Sequence, residues 1–111
     1  MSEATRGRVR HFDLEVQLSA RRTTVFMHGE LDVAEADGAW ACLDGLLETG
    51  HTTLLVDLTG VTFMDSRGVA VLVQAWNRVR ERHGRMMINA SPRVAATLAV
   101  AGLDELLAAE P

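Results

Sequence analysis

The 111-residue sequence has no lysine, no tyrosine, a single cysteine and two prolines. Each shortage excludes something. Without lysine there can be no Gly-x-x-x-x-Gly-Lys phosphate loop. The lone thiol, Cys42, makes neither an internal disulfide nor a zinc cluster. It reads as a buried structural cysteine in a protein of a reducing compartment. No apolar run approaches the roughly 18 residues that span a bilayer. The N-terminal MSEATRGRVRH carries Arg6, Arg8 and Arg10 with no apolar stretch behind them, so it is not a secretory signal. Segment 1–11 is expected to be a flexible polar arm, and the protein to be cytoplasmic. Positive charge is also in deficit: 11 basic residues, all arginine, face 15 acidic ones for a formal net charge of -4. That balance argues against a general affinity for nucleic acid. The histidines at 11, 28, 51 and 83 show no His-Glu-x-x-His spacing, so no metal and no cofactor is expected.

What remains is an ordinary folded chain, 48% hydrophobic, of a length that suits one small domain over 12–111. Residues 12–18 alternate apolar and polar, which predicts a half-buried strand with Phe12, Leu14, Val16 and Leu18 inward. Residues 23–28 are β-branched and aromatic, a second strand and, given the short link, an antiparallel neighbour. Gly29-Glu30-Leu31 interrupts the pattern. Asp32 is a good N-cap for a helix over 33–49, with Ala36, Trp40, Leu43 and Leu47 on its apolar stripe and Gly50 as terminator.

Thr53 to Leu58 is nearly all apolar, as a central parallel strand is. A loop over 59–65 is expected next. A helix follows with Val69, Leu72, Val73, Trp76 and Val79 at helical spacing, closed by Gly84. Arg85 to Ala90 reads as another buried strand. Ser91-Pro92 is an N-cap followed by proline at N1, opening a helix that Gly102 closes. Leu103 to Leu107 is a last apolar patch, either an edge strand or a helical turn. The order β-β-α-β-α-β-α requires right-handed parallel crossovers and gives a small α/β sandwich with a mixed sheet.

One segment concentrates the chemistry. From Asp57 to Leu72 the chain leaves a buried strand and enters a helix at Asp65-Ser66. In open α/β sheets the carboxyl ends of the strands carry functional loops. Ser66 occupies an N-cap-like place. Gly68 is a poor helix former in the first turn, so the backbone there is expected to pass close to something, such as a partner surface. A nucleophile elbow would need Gly-x-Ser-x-Gly with a histidine base. Met64 stands in place of the first glycine and Asp65 would repel an oxyanion, so the chain is not expected to be an enzyme.

The core Phe63-Met64-Asp65-Ser66-x-Gly68 resembles the signature of STAS domains, specifically bacterial anti-sigma factor antagonists. Gly29-Glu30-Leu31-Asp32 resembles the second motif of that family. Ala90-Ser91-Pro92-Arg93-Val94 and Leu98 to Leu103 resemble the third. The resemblance runs over about residues 12–107 and implies a mixed, mostly parallel sheet of four or five strands with three helices. The chain stops at Pro111, before the final helix that many members carry.

It further implies a function. Such a domain, when unphosphorylated, binds an anti-sigma factor that is itself a serine kinase, and so releases a sigma factor. Phosphorylation of the serine after the motif aspartate ends binding, and a phosphatase resets it. Ser66 matches that serine, with Asp32, Asp65, Arg67 and Gly68 forming the partner-binding surface around it. Arg67 stands where many members have a second serine, and Glu35 where a threonine is usual. A homodimer is compatible with the pattern. Other readings keep the fold without the switch: a non-phosphorylated STAS module in a transport or stress-scaffold complex, or a nucleotide-binding domain.

Overall fold

The structure is a computed structural model that describes residues 12–107; the arm expected at 1–11, with His11, and the segment after Leu107 lie outside the described residues. Strands β1 (Phe12–Leu18), β2 (Thr23–Leu31), β3 (Thr53–Met64) and β4 (Arg85–Ala90) alternate with helices α1 (Val33–Glu48), α2 (Ser66–Glu81) and α3 (Pro92–Val100). A short 3-10 turn over Asp104–Leu106 follows, and Leu107 bridges to Ile88, so the last apolar patch combines a helical turn with a single strand contact. The sheet order is β1-β2-β3-β4. β1 is antiparallel to β2, whereas β3 runs parallel to both its neighbours. This is the mixed four-stranded sheet with three helices that the pattern implied.

Side chains alternate across a pleated sheet. Val25, Met27, Leu54, Val56, Leu58, Met86 and Ile88 therefore share one face. They form one core with Ala36, Leu43 and Leu47 of α1, Leu72 and Val79 of α2, and Val94 and Leu98 of α3. Burying each such aliphatic side chain contributes about 1.5–3 kcal/mol. α1 and α2 are also tied together across their surface. Arg78 reaches Asp44 (2.7 Å) and Glu48 (2.7 Å), and Arg82 reaches Glu48 (3.0 Å) and the Leu47 carbonyl (2.9 Å). Burial pushes the Cys42 thiol up from its ordinary pKa, away from the reactive thiolate, as suits a structural cysteine. Trp40 and Trp76 are half-buried against the core, and Arg80 stacks on the Trp76 ring at 4.4 Å.

Several boundaries differ from expectation. β2 does not stop at His28 but runs to Leu31, and residues 59–64 are strand rather than loop. The β2–β3 register shifts twice, at Phe26/His28 and Gly29/Glu30. Gly29 takes φ +103 there, a left-handed conformation that glycine adopts at no steric cost, so the ladder absorbs the irregularity and continues. Phe12 is buried and Leu14 half-buried as expected, but Val16 is 39% and Leu18 62% exposed: β1 is an edge strand, and its far end runs past the helical cover. Gly50 and Gly102 take the left-handed conformation as expected of terminators, but after α2 it is His83 (φ 57) that does so, not Gly84. Gly84 instead packs where a Cβ would lie 2.2 Å from the Thr52 carbonyl oxygen.

Candidate functional site

The extension of β2 and β3 places their carboxyl ends side by side, with Leu31 paired to Met64. The next residue of each chain segment is an aspartate, and each aspartate starts a helix. Asp32 caps α1, its Oδ1 accepting from the N–H groups of Ala34 (3.0 Å) and Glu35 (3.3 Å). Asp65 caps α2, its Oδ1 accepting from Arg67 (2.9 Å) and Gly68 (3.2 Å). The other oxygen of Asp65 accepts from the N–H of Val33 at 3.1 Å, the first residue of α1. One carboxylate thus satisfies donors at two helix N-termini, where negative charge is favoured. The Asp65 N–H donates back to the Leu31 carbonyl at 3.3 Å and closes the junction.

This overturns the expectation that Ser66 occupies the cap. Asp65 has the extended backbone of a cap residue (φ -102, ψ -173), and Ser66 is the first helical residue. Its side chain is exposed and makes no hydrogen bond among the described residues. The carboxylate, with two oxygens, takes donors that a hydroxyl could take only in part. The hydroxyl at Ser66 is consequently left to solvent.

Gly68 is buried, and its close approach is inward rather than to an outer surface. A Cβ there would lie 2.6 Å from the Leu31 carbonyl oxygen and 2.9 Å from Cγ of both Leu31 and Met64. Glycine is required because α2 sits on the ends of β2 and β3. Arg67 is exposed and pairs with no carboxylate among the described residues. Asp32 and Asp65 are thus brought together as expected, beside Ser66 and Arg67. Two exposed apolar residues join them: Phe63, the first residue of the Phe63-Met64-Asp65-Ser66-x-Gly68 core, at 51%, and Val33, which the sequence pattern does not mark, at 58%. Strict alternation does not mark Phe63, since Thr62 and Phe63 are both exposed between buried Val61 and Met64.

Two of the described histidines lie elsewhere. His28 of β2 lies against Gly60 of β3, and His51 meets the Thr23 hydroxyl (3.3 Å) at the far end of the sheet. Among the described residues no group of three or more His, Cys, Asp or Glu is placed to hold a metal ion. No described helix is long and apolar enough to cross a membrane.

Comparison with known proteins identifies the family and the fold. The STAS domain family profile matches residues 11–111. An anti-sigma-B factor antagonist of Listeria monocytogenes is 26% identical over 99 residues, which cover 86% of this chain and 87% of that protein. The solved structure of the anti-sigma factor antagonist SpoIIAA in its unphosphorylated form superposes with a TM-score of 0.79 at 22% identity, covering 89% of each chain. The Bacillus cell fate determinant SpoIIAA in its phosphorylated form gives 0.72 at 24% identity, covering 90% of this chain and 91% of that one. An anti-sigma factor antagonist from Mycobacterium paratuberculosis gives 0.79 at 21% identity, covering 90% and 86%. At these identities the solved structures establish a shared fold.

Proposed function

This chain belongs to the STAS domain family, and from that premise we propose that it is an anti-sigma factor antagonist whose binding is switched off by phosphorylation of Ser66. The observation that carries the reading is the division of labour at the start of α2. Asp65 does the capping, so the exposed Ser66 hydroxyl is free for modification at no cost to the helix. The names of the relatives supply the class of partner, an anti-sigma factor. The serine switch further requires that this partner act as a serine kinase and that a phosphatase reverse it.

The physics of the switch needs no change of fold. Unmodified Ser66 is small and neutral, and exposed Val33 and Phe63 beside it offer apolar contact to a partner. Arg67 and the aspartate pair give that contact a polar rim. A phosphate adds about -1.5 to -2 charge and bulk. The N-terminus of α2 tolerates it electrostatically, so the domain stays folded. Next to Asp32 and Asp65, however, it turns the lip strongly anionic. Juxtaposing it with an acidic or apolar partner surface costs several kcal/mol, and each 1.4 kcal/mol is about tenfold in affinity.

The test is incubation with ATP and a candidate kinase partner, with the phosphate located by mass spectrometry. Phosphate is expected on Ser66 of the wild type, and Ser66→Ala should take none and remain bound. Phosphate on Ser91 with Ser66 unmodified would sink the assignment. Ser66→Asp carries less charge than phosphate and should weaken binding clearly but incompletely by calorimetry.

A further inference from the structure

The opposite end of the sheet has a different character. An open cavity of about 700 Å³ lies where the β1–β2 turn faces the first residues of β3 and β4. Arg21, Arg22 and Arg85 line it, with Thr53 between them and Ala20 and Met87 as apolar wall. No acidic side chain lines it among the described residues, in a chain where acids outnumber bases 15 to 11. None of the three arginines pairs with a carboxylate among the described residues, unlike Arg78 and Arg82.

The scaffold beneath the arginines is well tied down. The turn is closed by Ser19 and Arg22: the Ser19 hydroxyl donates to the Arg22 carbonyl (2.8 Å) and accepts from its N–H (3.2 Å), and the Ser19 N–H donates to the same carbonyl (3.1 Å). Arg85 is fixed at the start of β4 by its pairing with Thr53 and by donating to the Thr52 carbonyl at 2.9 Å. Like-charged guanidinia gathered on fixed backbone, with no counter-charge, repel one another unless an anion joins them. A guanidinium fork matches phosphate geometry, and three positive charges favour a dianion over a carboxylate. The volume exceeds that of a phosphoryl group alone, and the Ala20–Met87 wall suits an apolar body.

We propose that this cavity binds a small organic phosphate, its phosphoryl group held by Arg21, Arg22 and Arg85 and its carbon portion against Met87. The site lies at the start of β3 and Ser66 just beyond its end, roughly 35 Å apart along a 12-residue strand at about 3.3 Å per residue. It is therefore a separate site from the switch.

The probes are phenyl phosphate and inorganic phosphate, titrated into the full chain at constant ionic strength and followed by amide chemical shifts. Phenyl phosphate should shift Arg21, Arg22, Thr53 and Arg85 saturably and leave Asp65 to Gly68 unmoved. It should bind at least fivefold tighter than inorganic phosphate. The double variant Arg22→Gln/Arg85→Gln should lose at least tenfold in affinity while keeping the wild-type amide spectrum elsewhere. Shifts no larger than those from sodium chloride, or unchanged affinity in the double variant, would overturn the site. Equal affinity for the two probes would overturn the organic half of the assignment.

Discussion

At the carboxyl ends of β2 and β3, the charged groups are consumed by the fold. Asp32 and Asp65 satisfy N–H groups at the starts of α1 and α2, and Asp65 serves both helices. At the amino ends of the strands, the charged groups are left over: Arg21, Arg22 and Arg85 line a cavity and no described carboxylate meets them. The difference separates two meanings of a charged residue near a site. An aspartate beside Ser66 cannot be changed without changing stability, so its role in recognition is entangled with its role as a cap. An arginine at the other end can be changed with little consequence for the fold. At the first end Ser66, Arg67, Val33 and Phe63 are exposed and serve no helix cap.

The sharpest way to break this contrast is at Gly68, where the largest effect is expected. Gly68→Leu forces a side chain into the Leu31 backbone and should cost more than about 3 kcal/mol or prevent folding. Gly68→Ala should cost about 1–3 kcal/mol in a thermal melt, although alanine is the better helix former by up to about 1 kcal/mol. A Gly68→Ala melt at or above the wild type would mean that the junction of α2 with the two strands is loose.

Next in size is Asp65→Ala, which orphans N–H groups at both helix starts and should cost about 2–3 kcal/mol by urea denaturation. Asp32→Ala removes the cap of one helix only and should cost about 1 kcal/mol. Equal losses for the two would contradict the shared-cap geometry.

At the other end, Arg21→Gln, Arg22→Gln and Arg85→Gln should each stay within about 0.5 kcal/mol of the wild type. A loss above 1 kcal/mol would show that the arginines are committed to the fold after all.

The smallest effect is expected at Ser66. Ser66→Ala should be neutral within about 0.5 kcal/mol, because the hydroxyl caps nothing. Ser91→Ala is the internal control, since the Ser91 hydroxyl accepts from Val94 (3.4 Å) and its loss should cost about 0.5–1 kcal/mol. If the two serines proved equally costly, the capping assignment at α2 would be wrong.

Much of the architecture follows from local chemistry and was legible in the residues. The alternation at 12–18, the apolar run at 53–58, the helical stripes and the caps Asp32 and Ser91 depend on near neighbours in sequence, and they produced the right order of elements. The segment around Ser66 was legible as a candidate site because a serine and two carboxylates flank a strand-to-helix junction. The two misplaced strand ends share one cause. Gly29-Glu30-Leu31 and Thr59 to Met64 carry turn-like residues, yet both are strand, because each is held by the other across the β2–β3 ladder. Pairing between segments 30 residues apart has no local signature.

The order of strands and helices, the capped starts of α1 and α3 and the buried face of each helix are thus properties of the sequence alone, set by periodicity and by hydrogen-bonding groups within a few residues. Tertiary structure decided the rest. It gave the cap Asp65 a second role, because only in the folded chain does the α1 N-terminus come within 3.1 Å of its other oxygen. It made Gly68 a packing residue, because the Leu31 carbonyl lies where a Cβ would be. It brought Arg85 to one cavity with the sequence neighbours Arg21 and Arg22, by setting the first residues of β3 and β4 near the β1–β2 turn. Each of these rests on how closely two remote stretches of backbone approach, a quantity fixed by strand register and core packing rather than by any local run of residues.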